Sequence, residues 1–219
     1  MTDFENLNIR NTNIVYPGWL ETRLTKKHMD LLWSCIEKRS QEPYPNLAGN
    51  LHGSYALEKN DAFYKSTIDP LVRHWVKLYG NSIFSDQIKL LPWVSGNIET
   101  YLNDWWVNYQ HEGDYNPLHD HGGIFSFVIW MKIPTDWKDQ KKLPRSVHST
   151  STTVSNFQFV YTKPDGRITT HTLPMSPNVE GMMIFFPANL KHVVHPFYDC
   201  KEERISISGN ISVRSTSPS

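Results

Sequence analysis

Two histidines one residue apart, His119 and His121, are the pair in this sequence best placed to do chemistry. Side chains two apart in an extended strand leave the same face, so both imidazoles can be offered to one metal ion without distorting the backbone. Asp120, between them, then points away. A third donor is His192, which stands just beyond the apolar run Met182-Met183-Ile184-Phe185-Phe186 and Pro187. The chain has ten histidines. The isolated ones (His28, His52, His74, His111, His148 and His171) read as surface or hydrogen-bonded residues, and His195, of opposite parity to His192, is kept as a substitute ligand.

Other familiar chemistries lack their machinery. There is no phosphate-cradling Gly-rich loop with Lys-Ser/Thr, no dinucleotide fingerprint and no serine in a nucleophile elbow, and neither Cys35 nor Cys200 sits in a catalytic context. Near the C-terminus, Arg204, Ser206, Ser208 and Asn210 alternate with Ile205, Ile207 and Ile211. That is the pattern of a strand with one face in the core and the other in a wet cavity, and equally of a strand whose polar face is exposed. Trp105, Trp106 and Trp130 could line a groove, but are read as core and rim.

The elements that must position these groups change character along the chain. Leu24, Leu31, Leu32, Trp33 and Ile36 recur at helical spacing and predict an amphipathic helix over 21–39. Asp69 as N-cap, Pro70 at the first helical position and Gly80 as the stop predict a second. After about residue 90 the period becomes two, with short β-branched and aromatic runs. Strands are expected near 97–102, 104–110, 118–121, 124–133, 154–162, 167–173, 181–186, 191–197 and 203–213, with a hairpin at Pro164-Asp165-Gly166. Many short strands without βαβ alternation predict a mainly β fold, a double-stranded β-helix or jelly roll braced by N-terminal α-helices. The expectation is one domain over 1–219, with a helical zone over 1–90 and the jelly-roll core over 91–214.

Composition narrows the setting. Lys+Arg and Asp+Glu number 22 each, so the strong basic field of a nucleic-acid binder is missing. No stretch of about 18 apolar residues offers a membrane span, and Met1-Thr2-Asp3-Phe4-Glu5 has no basic or apolar leader character. Two cysteines are too few for a disulfide framework. A reduced, cytoplasmic location is expected.

Two resemblances follow from the spacing. Gly113, His119 and His121, with Gly181, Pro187 and His192, resemble the two motifs of the cupin superfamily, although the glutamate after the histidine pair is absent and Asn189 replaces a glycine. A fuller likeness covers about the last 110 residues. Tyr109, Gly113, Tyr115, His119, His121, the strand from Ser126 to Pro134, Phe186-Pro187, His192, Pro196 and Arg204-x-Ser206 to Asn210 look like the iron(II)- and 2-oxoglutarate-dependent oxygenases. Within them the sequence is most similar to a group common in bacteriophages and marine bacteria.

The resemblance implies iron(II) on His119, His121 and His192, with 2-oxoglutarate, O2 and an unidentified prime substrate as partners. It implies Arg204 on the far carboxylate of 2-oxoglutarate, with Ser206 beside it and Tyr109 hydrogen-bonding the co-substrate. A planar guanidinium suits a carboxylate because it pairs in two places at once. The outcome implied is oxidation of a C–H bond with release of succinate and CO2. Most members carry His-x-Asp/Glu where this chain has His119-x-His121, so Asp120 stays open as the alternative ligand. Iron would be lost as the imidazoles protonate below about pH 6.5. The rival reading is a non-redox, metal-binding cupin-like isomerase or binding module.

Overall fold

A computed structural model describes residues 18–45, 47–79, 97–151 and 153–216. Among the described residues ten strands form two antiparallel sheets, as the period-two pattern predicts. They are β1 (Leu20–Arg23), β2 (Gly53–Ala56), β3 (Asn97–Gln110), β4 (Asn116–His119), β5 (Phe125–Lys132), β6 (Phe157–Thr162), β7 (Ile168–Leu173), β8 (Met182–Pro187), β9 (His192–Val194) and β10 (Arg204–Thr216). The larger sheet has the order β1-β8-β5-β10-β3-β2 and the smaller β4-β9-β6-β7. The architecture is a mainly β jelly roll with few helices.

The inner strands of the large sheet are covered on both faces, and their sequences say so. In β5, Phe125, Phe127, Ile129 and Met131 join the core that also holds Leu32 and Ile36 of helix α1 (Lys26–Glu37) and Trp75 and Val72 of the next helix. Val128 and Trp130, of opposite parity, join a second core with Phe157, Phe159, Ile184 and Phe186. β8 divides in the same way, Met183 and Phe185 to one core and Ile184 and Phe186 to the other. Burial of each such aromatic contributes roughly 1.5–3 kcal/mol. The buried strand read at 181–186 is therefore present.

Several boundaries differ from expectation. The helix expected over 21–39 begins at Lys26, because Thr25 caps it: the Thr25 hydroxyl accepts from the His28 N–H, and His28 Nδ1 accepts from the Thr25 N–H. Residues 20–23 instead pair with β8 as an edge strand. Asp69 is not an N-cap. The helix starts at Asp61 under the Asn60 side chain, and Asp61–Phe63, Tyr64–Ile68 and Asp69–Tyr79 run on as one element, α2. Its middle stretch is a π-turn in which the Asp69 N–H bonds to Tyr64 O. Pro70 explains it, since a proline has no N–H to continue the ladder and its ring crowds the preceding turn. Gly80 lies outside the described residues.

Strands 97–102 and 104–110 are one strand, β3, whose register against β10 shifts so that Asp104 faces Asn210 while Leu102 faces Ile211. Asn103 is the extra residue, and a bulge of this kind exchanges the faces on either side of it. Leu102 and Trp105 can therefore share one core. The hairpin at Gly166 is present, with φ at 82° there.

Gly209 sits in the centre of β10, where a Cβ would lie 2.6 Å from Phe127 Cζ and 2.8 Å from Trp105 Cβ. Gly209→Ala should cost about 1–3 kcal/mol by forcing these rings apart. Urea unfolding measures it, and Phe127→Leu in the same chain should recover part of the loss.

Candidate metal centre

β4 and β9 meet with His119 opposite His192. The strand expected over 118–121 stops at His119, and Asp120 to Gly123 leave the ladder. The turn is fixed at two places. The His121 N–H donates to Ala188 O at 2.9 Å, and Gly123, at φ 93°, approaches Ile211 O so closely that a Cβ would stand 2.6 Å from it. A loop thus brings His121 to the side predicted from strand parity. Asp120 is not one of the converging groups and pairs with Lys191 at 2.7 Å.

The three histidines converge, each offering one nitrogen, with all three nitrogens within 4.8 Å of one another. His119 Nδ1 lies 2.7 Å from Pro117 O and His192 Nδ1 lies 2.9 Å from Leu190 O. A carbonyl only accepts, so in both rings Nδ1 carries the hydrogen and Nε2 keeps its lone pair. His121 Nε2 is 3.2 Å from His192 Nε2. Two imidazole nitrogens bound at right angles, each about 2.1 Å from one metal, stand about 3 Å apart. The donor set fits a divalent transition metal. Phe157 stacks on His192 at 5.5 Å, Phe186 meets it edge-on at 5.1 Å, and Trp106 stands 5.9 Å from His121.

The triad lines a cavity of about 380 Å³ between the sheets. Its floor strand is β10, whose Arg204, Ser206, Ser208 and Asn210 all face inward while Ile205, Ile207 and Ile211 enter the core. Arg204 is 3% exposed. It donates from one terminal nitrogen to Ser155 O at 2.8 Å and Ser155 Oγ at 2.7 Å, and from the other to Gln110 Oε1 at 3.4 Å. Phe197 lies under it at 4.9 Å. Nε is buried without a partner, and among the described residues no carboxylate pairs with this guanidinium. Burial alone lowers its pKa to about 9. A buried cation of this kind calls for an anion, and a carboxylate suits its fork.

Tyr109 is not where the resemblance put it. Its parity in β3 is that of Val107, it packs against the helix-side core near Tyr55 and Arg39, and it does not line the cavity. Trp106 and Trp130 do line it, whereas Trp105 is core. His195 stands outside the triad, with Nε2 buried and unpartnered beside a smaller pocket. Residues missed from the sequence include Gln110 and Ser155. Ser155 holds a left-handed φ of 64° that aims its carbonyl and hydroxyl at Arg204. No spacing in the chain marks it.

Burial keeps the triad neutral. It lowers the pKa of His119 from 6.5, takes His121 to about 4 with the neighbouring His119 adding to the effect, and holds His192 well below its ordinary value. The unfolded chain therefore takes up protons near pH 6.5 that the folded chain refuses until lower pH. The metal-free protein keeps this stability above pH 6.5 and loses it as pH falls toward 4. The same shift moves proton-driven metal loss below the pH 6.5 expected from free imidazole. Urea midpoints of the metal-free protein should decrease in the order pH ~7.5, ~6, ~5, with His121→Gln flattening the trend. Equal midpoints for the native chain across that range would contradict the assignment.

Residues 104–210 match the family model described as "Putative 2OG-Fe(II) oxygenase", where 2OG is 2-oxoglutarate. No curated protein matches the chain. Solved structures similar to it include a prolyl-4-hydroxylase of Pseudomonas putida (13% identity, 91% of this chain and 94% of that one, TM-score 0.49). Another is an oxidoreductase of the 2OG-Fe(II) oxygenase family from Burkholderia pseudomallei (13%, 89% and 85%, 0.48). A third is HygX from Streptomyces hygroscopicus, solved with nickel, 2-oxoglutarate and hygromycin B (10%, 90% and 83%, 0.47). The matched stretch includes all three histidines and Arg204. The part of the chain that builds the cavity thus matches the 2OG-Fe(II) oxygenase pattern.

Proposed function

We propose that this chain, acting as a single domain, holds iron(II) on His119, His121 and His192 and 2-oxoglutarate on Arg204, and hydroxylates a C–H bond of a second substrate. The observation that carries the proposal is the unpaired, buried Arg204 in the same cavity as a converging histidine triad. Iron on these residues would let O2 act as the oxidant, one oxygen atom ending in the new hydroxyl and the other in the succinate formed as 2-oxoglutarate loses CO2. The protein's share is binding and orientation. Pro117 O and Leu190 O hold two imidazoles with Nε2 turned inward. Arg204 takes the far carboxylate, which also relieves its own burial without a counter-charge, and Ser206 lies two residues along the same face. Phe157, Phe186 and Trp130 wall the site with apolar surface and limit water.

Asp120 is the poorer candidate for the second ligand, because Lys191 already claims its carboxylate. A non-redox cupin-like role would not require 2-oxoglutarate on Arg204, so dependence on that keto acid separates the two readings. The cysteines Cys35 and Cys200 are both free, which supports a reducing, cytoplasmic setting.

Oxygen uptake by the iron-loaded protein that requires added 2-oxoglutarate tests the activity; uptake indifferent to the keto acid would sink it. Anaerobic Co(II) titration tests the ligands. His121→Ala should lose the metal and Asp120→Ala keep it, and the reverse result would replace His121 by Asp120 in the set. Arg204→Met should move two quantities in opposite directions. Affinity for 2-oxoglutarate should weaken by about 2–5 kcal/mol, while stability of the ligand-free fold holds or rises, since an apolar group replaces an uncompensated charge. Calorimetry and urea unfolding measure the two, and unchanged 2-oxoglutarate affinity would place the co-substrate elsewhere.

A further inference from the structure

The cavity is longer than iron and 2-oxoglutarate require. Along the β3–β10 ladder Arg204 faces Gln110, Ser208 faces Trp106 and Asn210 faces Asp104. At about 3.3 Å per residue, Arg204 and Asp104 therefore lie on the order of 20 Å apart along the strands. His121, beside Trp106, stands at a level between them. The Arg204 side is taken by the keto acid in the reading above. The Asp104 side is left for the substrate to be oxidised, and Tyr44 and Trp106 line it.

The charges there are not balanced. Three formally charged side chains line the cavity, Arg204, Asp104 and Asp120. Asp120 is neutralised by Lys191. Asp104 accepts from Asn103 Nδ2 at 3.0 Å and from Asn210 Nδ2 at 2.9 Å, both uncharged donors. Among the described residues no lysine or arginine forms an ion pair with it. Tyr44 lies flat on Trp106, with centroids 4.7 Å apart and planes 9° apart. A carboxylate and stacked π-faces in one recess repel an anion and favour a cation bearing N–H groups.

We propose that the substrate oxidised by this protein carries a cationic nitrogen, an ammonium, amidinium or guanidinium group, which docks on Asp104 beside the Tyr44–Trp106 pair. The proposal rests on the oxygenase reading for its account of the other half of the cavity. Docking there leaves the rest of the substrate pointing back along β10 toward the triad, so the C–H bond to be oxidised lies a few atoms from the charged nitrogen. Asp104 fixes the position of the substrate and does not touch the reacting bond.

Three ring compounds of one shape separate charge from fit. Benzamidine, benzamide and benzoate are titrated calorimetrically into the full chain loaded with Zn(II) and 2-oxoglutarate. Benzamidine should bind at least about tenfold more tightly than benzamide, and benzoate should not bind. Asp104→Asn should reduce the benzamidine preference to within about threefold. Tyr44→Ala, which leaves the β3–β10 ladder untouched, should weaken benzamidine too and decides the matter if the Asp104 variant does not fold. Equal binding of benzamidine and benzamide, binding of none of the three, or a preference that survives Asp104→Asn overturns the proposal. Titration of 2-oxoglutarate into the zinc-loaded chain reports separately on the oxygenase reading: failure there with the benzamidine preference intact removes that reading and leaves the cation site standing.

Discussion

Everything in this molecule depends on β10 being covered on both faces. A strand with a core on one side and a cavity on the other must alternate strictly, and β10 does so from Arg204 to Val213. The isoleucines lock the strand to the helices, and that lock holds the guanidinium and the serines inward. A slip of one residue would bury the polar row in hydrocarbon and carry the isoleucines into the cavity. The register that stabilises the fold and the register that aims the site are the same.

That identity explains why much of the site was legible in the sequence. The pairing of His119 with His121 and the distal His192 were suggested by spacing, although a loop and not strand parity carries His121, and the row from Arg204, which parity left either exposed or inward, also faces the cavity. What was not legible depends on features parity does not govern. Tyr109 was misplaced because a family likeness, not its face in β3, put it near the co-substrate. Ser155 owes its role to one left-handed residue between strands. The wall formed by Tyr44, Leu47, Gly49 and Leu51 comes from a part of the chain distant in sequence, held by contacts such as the paired backbone bonds of Asn50 with Tyr115. Helix starts failed for a local reason: Thr25 and Asn60 cap as well as Asp69 could, and a π-turn absorbs Pro70.

Arg204 shows what the fold sacrifices for the site. A fully buried guanidinium with an unpartnered Nε is among the costlier arrangements a core can contain. Its hydrogen bonds to Ser155 and Gln110 and its seat over Phe197 hold it in place without neutralising it. The structure therefore keeps a permanent demand for an anion at the base of the cavity, while most of the neighbouring strand is packed as tightly as an ordinary core.

The clamps on His119 and His192 reach back only two residues, to Pro117 and Leu190. Each ring's tilt and tautomer is thus written into a tripeptide, independent of the distant parts of the sheet. Two of the three donors are oriented before any ion arrives, so capture of the metal orders little that was loose, and the entropy of arranging those rings is spent during folding. Such self-contained units can also be carried into other β-sandwiches without their surroundings. Evolution could exchange the walls of this cavity, and with them its substrate, while the metal grip travels unchanged.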